Sequence, residues 1–309
     1  MSETIQKADD LEYFDFEIYK KNISSQSGED GIIEEIFRRI KNLLDYQCCE
    51  FGAWDGKHLS NTYNLIKNHN YKALLIEGDK KKFQILNSNF LNDKVIKLNK
   101  FVEFEGKNTL DNILENNNFN KNFDFLSIDI DGNDYHIFDS LKKFLPKLIS
   151  IEYNPTIPNH VNFVQKKDNR INQGSSARSL IDLALKKNYF PIASTKNNLF
   201  FIQNSIKKFI TKQETYEINK LLPPKNRCYI FCGYDGSIHT SKEFELPWHK
   251  LKIDKISVLP FFLIGFPDNY NFFQKLLFIF YKFYIKPLKY LKNPKKYIKI
   301  LIKEIKDKL

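Results

Sequence analysis

The alternation of apolar strands with amphipathic helices is the feature that most limits the fold of this chain. Segments predicted as strands are CCEF (48–51), YKALLIEGD (71–79), KVIKLN (94–99), FDFLSIDIDG (123–132) and KLISIEYN (147–154). The first predicted helix, EDGIIEEIFRRIKNLL (29–44), repeats apolar side chains at helical spacing. Continuously apolar strands separated by helices are typical of a parallel sheet covered on both faces. The sequence therefore predicts an α/β fold with a doubly wound, mostly parallel sheet.

Later segments indicate how the fold is completed and divided. Helices are predicted after Ser60–Asn61, from a Thr109 cap, and in SARSLIDLALKKNY (176–189), and FPIASTKNNLFFIQ (190–203) is predicted as a closing hairpin. Past residue 205 the alternation fades, and RCYIFCGYDGSIHTS (227–241) is predicted as one more hairpin, turning at Asp235–Gly236. We therefore predict an N-terminal arm (1–22), a main domain (23–205), an extension with a β-hairpin (206–265) and a basic amphipathic tail (266–309).

Charge and cysteine usage restrict the setting and the partners. The 309 residues carry a net charge of +11, but residues 271–309 hold eleven lysines against two acids, so the rest of the chain is nearly neutral. This distribution argues against nucleic-acid binding over the whole surface and favours a local anionic partner. The four cysteines match neither a disulfide framework nor a zinc site, and the polar N-terminus lacks the pattern of a signal peptide, so we expect a cytoplasmic protein.

Carboxylates mark the ends of the predicted strands. Ligands of such sheets bind outside the carboxyl ends of the strands, and four acidic residues stand there, each on a different strand: Glu50, Glu77, Asp129 and Glu152. This placement predicts a ligand site at that edge of the sheet.

The spacing around the first strand end favours one kind of ligand. Glu50, Gly52 and Gly56 form an acid followed by GxxxG, which differs from the GxGxxG pattern of a dinucleotide site. The two glycines predict a tight turn in which the backbone comes close to a ligand. An acid before the turn suits a ligand with a cationic amino-acid part, and Glu77 on the second strand is placed to bind ribose hydroxyls. S-adenosylmethionine has both features, and we predict it as the cofactor.

Several motifs in order resemble the FkbM-type family of S-adenosylmethionine-dependent methyltransferases. They are SQSGEDGII (25–33), CCEFGAWDG (48–56), SNT (60–62), ALLIEGD (73–79), TLDNIL (109–114) and FLSIDIDGNDYHIF (125–138), and the resemblance covers about residues 23 to 204. It implies a Rossmann-like, class I methyltransferase fold and O-methyl transfer, often to sugar hydroxyls of cell-surface glycans or to natural products. Much of the family reads Asp-x-Glu-Gly after the fourth strand, whereas this chain has Asp129-Ile-Asp131-Gly132.

The same strand ends indicate a metal site as one route to catalysis. A sugar hydroxyl is a weak nucleophile at neutral pH and needs a base or a metal ion. Asp129 and Asp131 follow the fourth strand, Glu152 and Asn154 lie at the end of the fifth, and their oxygen ligands suit Mg²⁺ or Mn²⁺. The layout is similar to that of catechol O-methyltransferase. The alternative is that Asp131 and Asp134 only cap the helix that follows, and that the acids bind cofactor or solvent.

A histidine base is the other route. His58, His136, His160 and His249 are candidates, and His160 is preferred because it lies in the long segment after the fifth strand, where loops carry substrate contacts. We therefore name Asp129 and His160 as the candidate catalytic residues. Lys166, Lys167 and Arg170 in the same loop could meet an anionic acceptor.

The C-terminal tail indicates a second function. Lysines recur at steps of three, four and seven between 275 and 306, with apolar side chains on the remainder, and Pro287 and Pro294 divide the segment. A basic amphipathic helix of this type lies in a membrane interface, or it packs on its own domain with a solvated lysine face.

Three functions therefore remain open at this point. They are a glycan O-methyltransferase at the inner face of the cell membrane, a ligand-binding protein of the same fold without catalysis, and a membrane-surface scaffold.

Overall fold

The described part of the chain forms two compact units. The computed structural model describes residues 16–223, 228–246, 249–253 and 259–285. The units are Met1–Lys225, here called the first unit, and Asn226–Leu309, here called the second unit. The domain boundaries expected at 22, 205 and 265 stay predictions, and most of the N-terminal arm lies outside the described residues.

A seven-stranded sheet forms the centre of the first unit. Its strands are β1 (Gln47–Phe51), β2 (Lys72–Glu77), β3 (Val95–Asn99), β4 (Phe125–Ile128), β5 (Leu148–Glu152), β6 (Tyr189–Ser194) and β7 (Asn198–Gln203). They lie side by side in the order β3-β2-β1-β4-β5-β7-β6. Neighbouring strands from β3 to β5 are parallel, and β7 is antiparallel to both β5 and β6. The predicted doubly wound, mostly parallel sheet is confirmed, and so is the closing hairpin.

Seven α-helices are described in this unit, and most were expected. They are α1 (Glu29–Arg39), α2 (Tyr63–His69), α3 (Lys80–Asn89), α4 (Leu110–Asn116), α5 (Asp134–Ser140), α6 (Ala177–Lys186) and α7 (Ile218–Leu221). Thr109 caps α4 as predicted, by accepting a hydrogen bond from the amide of Asn112. Helix α1 is shorter than its apolar pattern, since it ends at Arg39 and a 3-10 turn, Lys41–Leu43, follows it. The sequence reading missed α3, which starts where Asp79 accepts hydrogen bonds from the amides of Lys81 and Lys82.

The two faces of the sheet bury separate halves of the core. Successive side chains of a strand point to opposite faces, so that Cys49 belongs to one apolar cluster and Cys48 to the other. Both thiols are free and fully buried. Because both faces are covered, only the edges and the strand ends of the sheet are open to a ligand.

The second unit is made of short elements. Strands β8 (Ile230–Cys232) and β9 (Ile238–Thr240) form an antiparallel hairpin, and its turn contains Gly236 at φ +84°, which confirms the predicted hairpin. Strands β10 (Phe244–Glu245) and β11 (Lys252–Ile253) pair in the same way, and helix α8 (Phe272–Ile285) opens the basic tail. Pro287, Pro294 and most of the tail lysines lie outside the described residues. In the described ranges, every helix is too short or too polar to cross a bilayer.

Candidate functional site

The carboxyl ends of four adjacent parallel strands meet at one edge of the first unit. Strand β1 lies between β2 and β4, and β5 follows β4, so that the residues ending these strands are neighbours in space. Glu77 ends β2, Asp129 directly follows β4, and Glu152 ends β5. The sheet therefore brings together the strand-end acids that the sequence singled out.

Two of these acids form a carboxylate cluster with Asp131. Asp129, Asp131 and Glu152 each place one oxygen within 4.8 Å of the others. Asp129 and Glu152 are partly buried and hydrogen-bonded to each other, whereas Asp131 is exposed. Burial, followed by the neighbouring negative charges, raises the pKa of both Asp129 and Glu152. At neutral pH the pair therefore retains a proton, and a divalent cation would relieve the same repulsion.

Asp134, which the sequence suggested only as a possible cap of the next helix, holds the turn that carries this cluster. It is the first residue of α5 and is almost fully buried. Its carboxylate accepts hydrogen bonds from the amides of Ile130 and Gly132, both at 2.9 Å. Between those amides Asp131 adopts φ +57°, a left-handed conformation that is costly for a residue with a side chain. The strained turn thus projects Asp131 beside the ends of β4 and β5.

Glu50 is committed to contacts within the protein. Its oxygens accept hydrogen bonds from the hydroxyl groups of Ser60 and Thr62, both at 2.6 Å, and from the amide of Asn61 at 2.9 Å. Burial is the largest influence on the Glu50 carboxyl, and it raises the pKa. The SNT motif is therefore the partner of Glu50 in this structure, and the binding of a cofactor by Glu50 stays a prediction.

The two motif glycines are needed for reasons that their spacing did not show. Gly52 and Gly56 have φ values of +75° and +73°, as a tight turn requires. A Cβ on Gly52 would lie 1.8 Å from the carbonyl oxygen of Asp129, and one on Gly56 would lie 2.5 Å from the Phe90 ring. The close approach expected toward a ligand is therefore occupied, at both glycines, by the protein itself. Gly52 in particular lets β1 end directly against the residue that starts the carboxylate cluster.

Glu77 is placed as a cofactor ligand would be. It is 6% exposed, and its two oxygens accept hydrogen bonds from the amides of Trp54 at 2.8 Å and Asp79 at 2.7 Å. A carboxylate has about four acceptor positions, so each oxygen can accept a further hydrogen bond. Two backbone amides therefore hold this side chain in place, and each of its oxygens can still accept a hydrogen bond from a ligand. The assignment of Glu77 to the ribose stays a prediction.

Trp54 lies at the same strand end as Glu50, and sequence reasoning did not single it out. It lies between the two motif glycines at φ +49°, and its indole is partly exposed. The ammonium group of Lys82 stands 5.3 Å from the centre of its ring. The sequence could have indicated this residue, because a tryptophan in the turn after a strand is placed outside the apolar core.

The SQSGEDG segment closes over the same edge. Asp30 is buried, and one of its oxygens accepts hydrogen bonds from the amides of Ile23, Ser24 and Ser25 at 2.7 to 2.8 Å. The Ser24 hydroxyl donates to the carbonyl of Ser60 at 3.0 Å. A hydrogen bond from Ser24 therefore joins the N-terminal segment to the SNT motif, which in turn contacts Glu50.

The loop after β5 is organised by one buried side chain. Gln165 is 1% exposed and donates to the side-chain oxygen of Asn133 at 3.0 Å and to the carbonyl of Ile171 at 2.9 Å. Its own oxygen accepts the amides of Gln173 and Gly174, both at 2.9 Å. This glutamine ties the loop to the turn that begins α5, so the loop lies beside the turn that carries Asp131.

Two predicted site residues, Asn154 and His160, lie in the segment that follows β5. Asn154 accepts hydrogen bonds from the amide and hydroxyl of Thr156 and donates to the carbonyl of Gln173 at 2.8 Å, so it stabilises the loop. His160 is exposed in that loop. Among the described residues, the cluster of Asp129, Asp131 and Glu152 includes no histidine. The structure therefore brings the three expected carboxylate ligands together. The metal-ligand role of Asn154 and the catalytic role of His160 stay predictions.

Comparison with known proteins gives one family match for part of the chain. Residues 105–189, which contain the carboxylate cluster, match the family model described as the methyltransferase FkbM domain. A comparison with curated proteins gave no match.

Solved structures with a similar arrangement share little sequence with this chain. M. capricolum TrmK in complex with S-adenosyl-homocysteine is 15% identical, with a TM-score of 0.35 over 59% of this chain and 71% of that chain. The O-methyltransferase from Bacillus cereus in complex with S-adenosyl-homocysteine is 19% identical, with a TM-score of 0.37 over 59% and 84%. A S-adenosylmethionine-dependent methyltransferase from Clostridium acetobutylicum is 9% identical, with a TM-score of 0.34 over 58% and 92%. At these TM-scores the likeness decides nothing about activity.

The family match agrees with the motifs and with the sheet order. The fold class follows from the strand order and directions of this chain, and the resemblance noted in the sequence is confirmed by the family model. The match over residues 105–189 therefore bears out the resemblance to the FkbM methyltransferase domain, and S-adenosylmethionine-dependent methyl transfer is the activity that this match supports.

Proposed function

We propose that the protein transfers the methyl group of S-adenosylmethionine to a hydroxyl oxygen, and that the acceptor is a sugar of a cell-surface glycan or its precursor. The observation that carries this proposal is the cluster of Asp129, Asp131 and Glu152 at the ends of β4 and β5. Such a cluster, beside the strand-end acid Glu77, offers a base or a metal site next to a cofactor. A hydroxyl is the acceptor that needs this help, because it holds its proton at neutral pH.

The chemistry assigns a proton transfer to the carboxylates. Methyl transfer is an in-line displacement in which the acceptor oxygen forms a bond to the methyl carbon as the bond to sulfur breaks. The sulfonium becomes the neutral thioether of S-adenosylhomocysteine, and the hydroxyl proton must leave. In the route without a metal ion, Asp129 accepts that proton, while Glu152 retains its own proton and hydrogen-bonds to Asp129. Holding the acceptor oxygen in line with the methyl group supplies the rest of the rate enhancement.

A divalent cation fits the same residues. Three carboxylate oxygens within 4.8 Å of one another are hard ligands of the kind that Mg²⁺ and Mn²⁺ prefer. The raised pKa values of Asp129 and Glu152 express a repulsion that such a cation would remove. When bound, the ion would lower the pKa of the acceptor hydroxyl. Asp129, Asp131 and Glu152 would hold it, and Asp134 would keep their turn in place.

The surroundings of the cluster favour a polyhydroxylated acceptor. The loop that Gln165 ties down is polar, with His160, Lys166 and Arg170 among its side chains. Trp54 presents a partly exposed indole at the neighbouring strand end, and a sugar ring that stacks on it would compete with Lys82. Arg170 is paired with Asp168 and Lys167 stands over the Phe104 ring, so a charged acceptor would have to compete with both contacts.

Turnover of a panel of acceptors tests the proposal. The intact protein is incubated with S-adenosylmethionine and a panel of nucleotide sugars and oligosaccharides, and S-adenosylhomocysteine is measured. We expect turnover with a sugar acceptor, lost by at least about 100-fold in Asp129→Asn, as for removal of an acid–base group. Asp139→Asn, which changes an exposed acid of α5, serves as the matched control and should keep full activity.

A second candidate function is separated by the same assay. Binding of S-adenosylmethionine without turnover of any acceptor would favour a ligand-binding protein of this fold. Turnover with small phenolic acceptors, and with none of the sugars, would retain methyl transfer and reject the glycan acceptor.

A further inference from the structure

The second unit exposes one continuous apolar face. Five residues of α8 share this exposure: Phe272, Phe273, Leu276, Leu277 and Phe280. Phe273 is 74% exposed and Phe280 is 63% exposed. At about 100° per residue these five positions fall within an arc of about 140° on one side of the helix. Large aromatic side chains grouped in this way are uncommon on a surface that contacts only water.

The segment before the helix adds to this face. Phe261, in the 3-10 turn Phe261–Leu263, is 84% exposed. The turn is held against α8 because the side chain of Gln274 donates to the carbonyl of Phe262 at 2.8 Å. The ring of Tyr270 also packs against that of Phe278, with centroids 5.5 Å apart. The exposed phenylalanines therefore lie on a turn and a helix that contact each other.

The charge of this region indicates what covers the face. Residues 271–309 hold eleven lysines and two acids, which leaves nine excess positive charges. Lys275 and Lys282 of α8 lie outside the apolar arc, and Lys282 stands over the Phe278 ring at 4.7 Å. An apolar helix face flanked by lysines is the pattern of helices that lie in the plane of a lipid interface. A second copy of this chain would bring the same positive charge and would be repelled.

We propose that α8 and the turn before it insert their phenylalanines into the surface of an anionic bilayer, with Lys275 and Lys282 of α8 near the lipid headgroups. The aromatic side chains enter the boundary between headgroups and acyl chains, where they leave water. Each lysine near an anionic leaflet adds an attraction that salt screens over about 10 Å.

Vesicle binding by the intact protein tests the proposal. The probes are vesicles of phosphatidylcholine alone and of phosphatidylcholine mixed one to one with phosphatidylglycerol, and binding is measured by co-sedimentation. We expect binding to the anionic vesicles, little to the neutral ones, and a loss of about tenfold or more when the salt concentration rises from about 0.1 M to about 0.5 M.

Paired variants separate the apolar contribution from the charge. Phe273→Ala with Phe280→Ala removes two exposed rings and should weaken binding to the anionic vesicles by about tenfold or more. Leu91→Ala with Phe209→Ala removes two exposed apolar side chains of the first unit and should leave binding unchanged. Both proteins should bind S-adenosylmethionine as the parent does, so a failure here is distinct from a failure of the proposed methyl transfer.

Three results would overturn the proposal. They are equal binding to neutral and anionic vesicles, undiminished binding by the Phe273/Phe280 variant, and no vesicle binding by the parent protein. If the parent instead forms dimers that the Phe273/Phe280 variant cannot form, the face is a contact between copies of this chain.

Discussion

Replacement of Gly52 by alanine should show how tightly the end of β1 is packed against the carboxylate cluster. The new Cβ would stand 1.8 Å from the carbonyl oxygen of Asp129, so one backbone must move by about 1.2 Å to restore the shortest normal separation of 3.0 Å. The φ of +75° adds a penalty of about 1–2 kcal/mol for a residue with a side chain. Forced displacement in a packed site adds about 1–3 kcal/mol more.

Gly106 provides a matched control for this change. Its φ is +84°, close to that of Gly52, but an added Cβ would find its nearest neighbour, an oxygen of Glu103, at 4.0 Å. Gly106→Ala should therefore cost only the conformational penalty of about 1–2 kcal/mol.

The assay is urea-induced unfolding followed by circular dichroism, together with methyl transfer. Gly52→Ala should lower the free energy of unfolding by about 1–3 kcal/mol more than Gly106→Ala. It should also lose methyl transfer, because the displaced backbone carries Asp129. Equal destabilisation by the two substitutions, with activity kept in both, would refute the argument that Asp129 lies directly against Gly52.

Three further predictions concern the metal, the loop and the pH dependence of stability. Exhaustive chelation should abolish methyl transfer and Mg²⁺ or Mn²⁺ should restore it, whereas full activity in chelator would leave the carboxylate pair as the base. Gln165→Leu should raise the KM for the acceptor about tenfold and leave the affinity for S-adenosylmethionine unchanged, because the four side-chain hydrogen bonds that hold the loop after β5 are lost. Equal weakening of acceptor binding and of S-adenosylmethionine binding would contradict this prediction. Burial would raise the pKa of Glu35, but hydrogen bonds from Arg38 and Arg39 outweigh it and hold that pKa below the ordinary value of 4.5. The stability that this group contributes is present above that value and is lost as the pH falls through the folded pKa, so Glu35→Gln should flatten the acid decline of the melting temperature.

The sequence was sufficient for the elements whose side chains follow a period. The buried strands β1, β2, β4 and β5 are apolar along their length, and their ends are marked by acids, so both the strands and the site edge were predicted. Helix α3 was missed because its sequence, KKKFQILNSN, is largely polar and its start depends on the side chain of Asp79. Local hydrogen bonds of this kind leave little trace in a hydrophobic pattern.

The candidate site shows the same division. The meeting of Asp129, Asp131 and Glu152 followed from their places at neighbouring strand ends. The spacing did not reveal that Glu50 binds the SNT motif, or that Gly52 makes room for a carbonyl group of another strand, because both facts depend on contacts between distant segments. The role of Gln165 could not be predicted from the sequence either, since its four hydrogen-bond partners come close to it only in the folded loop.

Titration of the intact protein with S-adenosylmethionine in a calorimeter tests the central claim most directly. The account predicts saturable binding at one site. Glu77→Ala should weaken it about 10- to 100-fold, since hydrogen bonds to a charged group contribute about 1.5–3 kcal/mol. Glu115→Ala, which removes an exposed acid of α4, should bind as the parent does. No binding by a folded parent protein, or equal affinity in the parent and Glu77→Ala, would contradict the account.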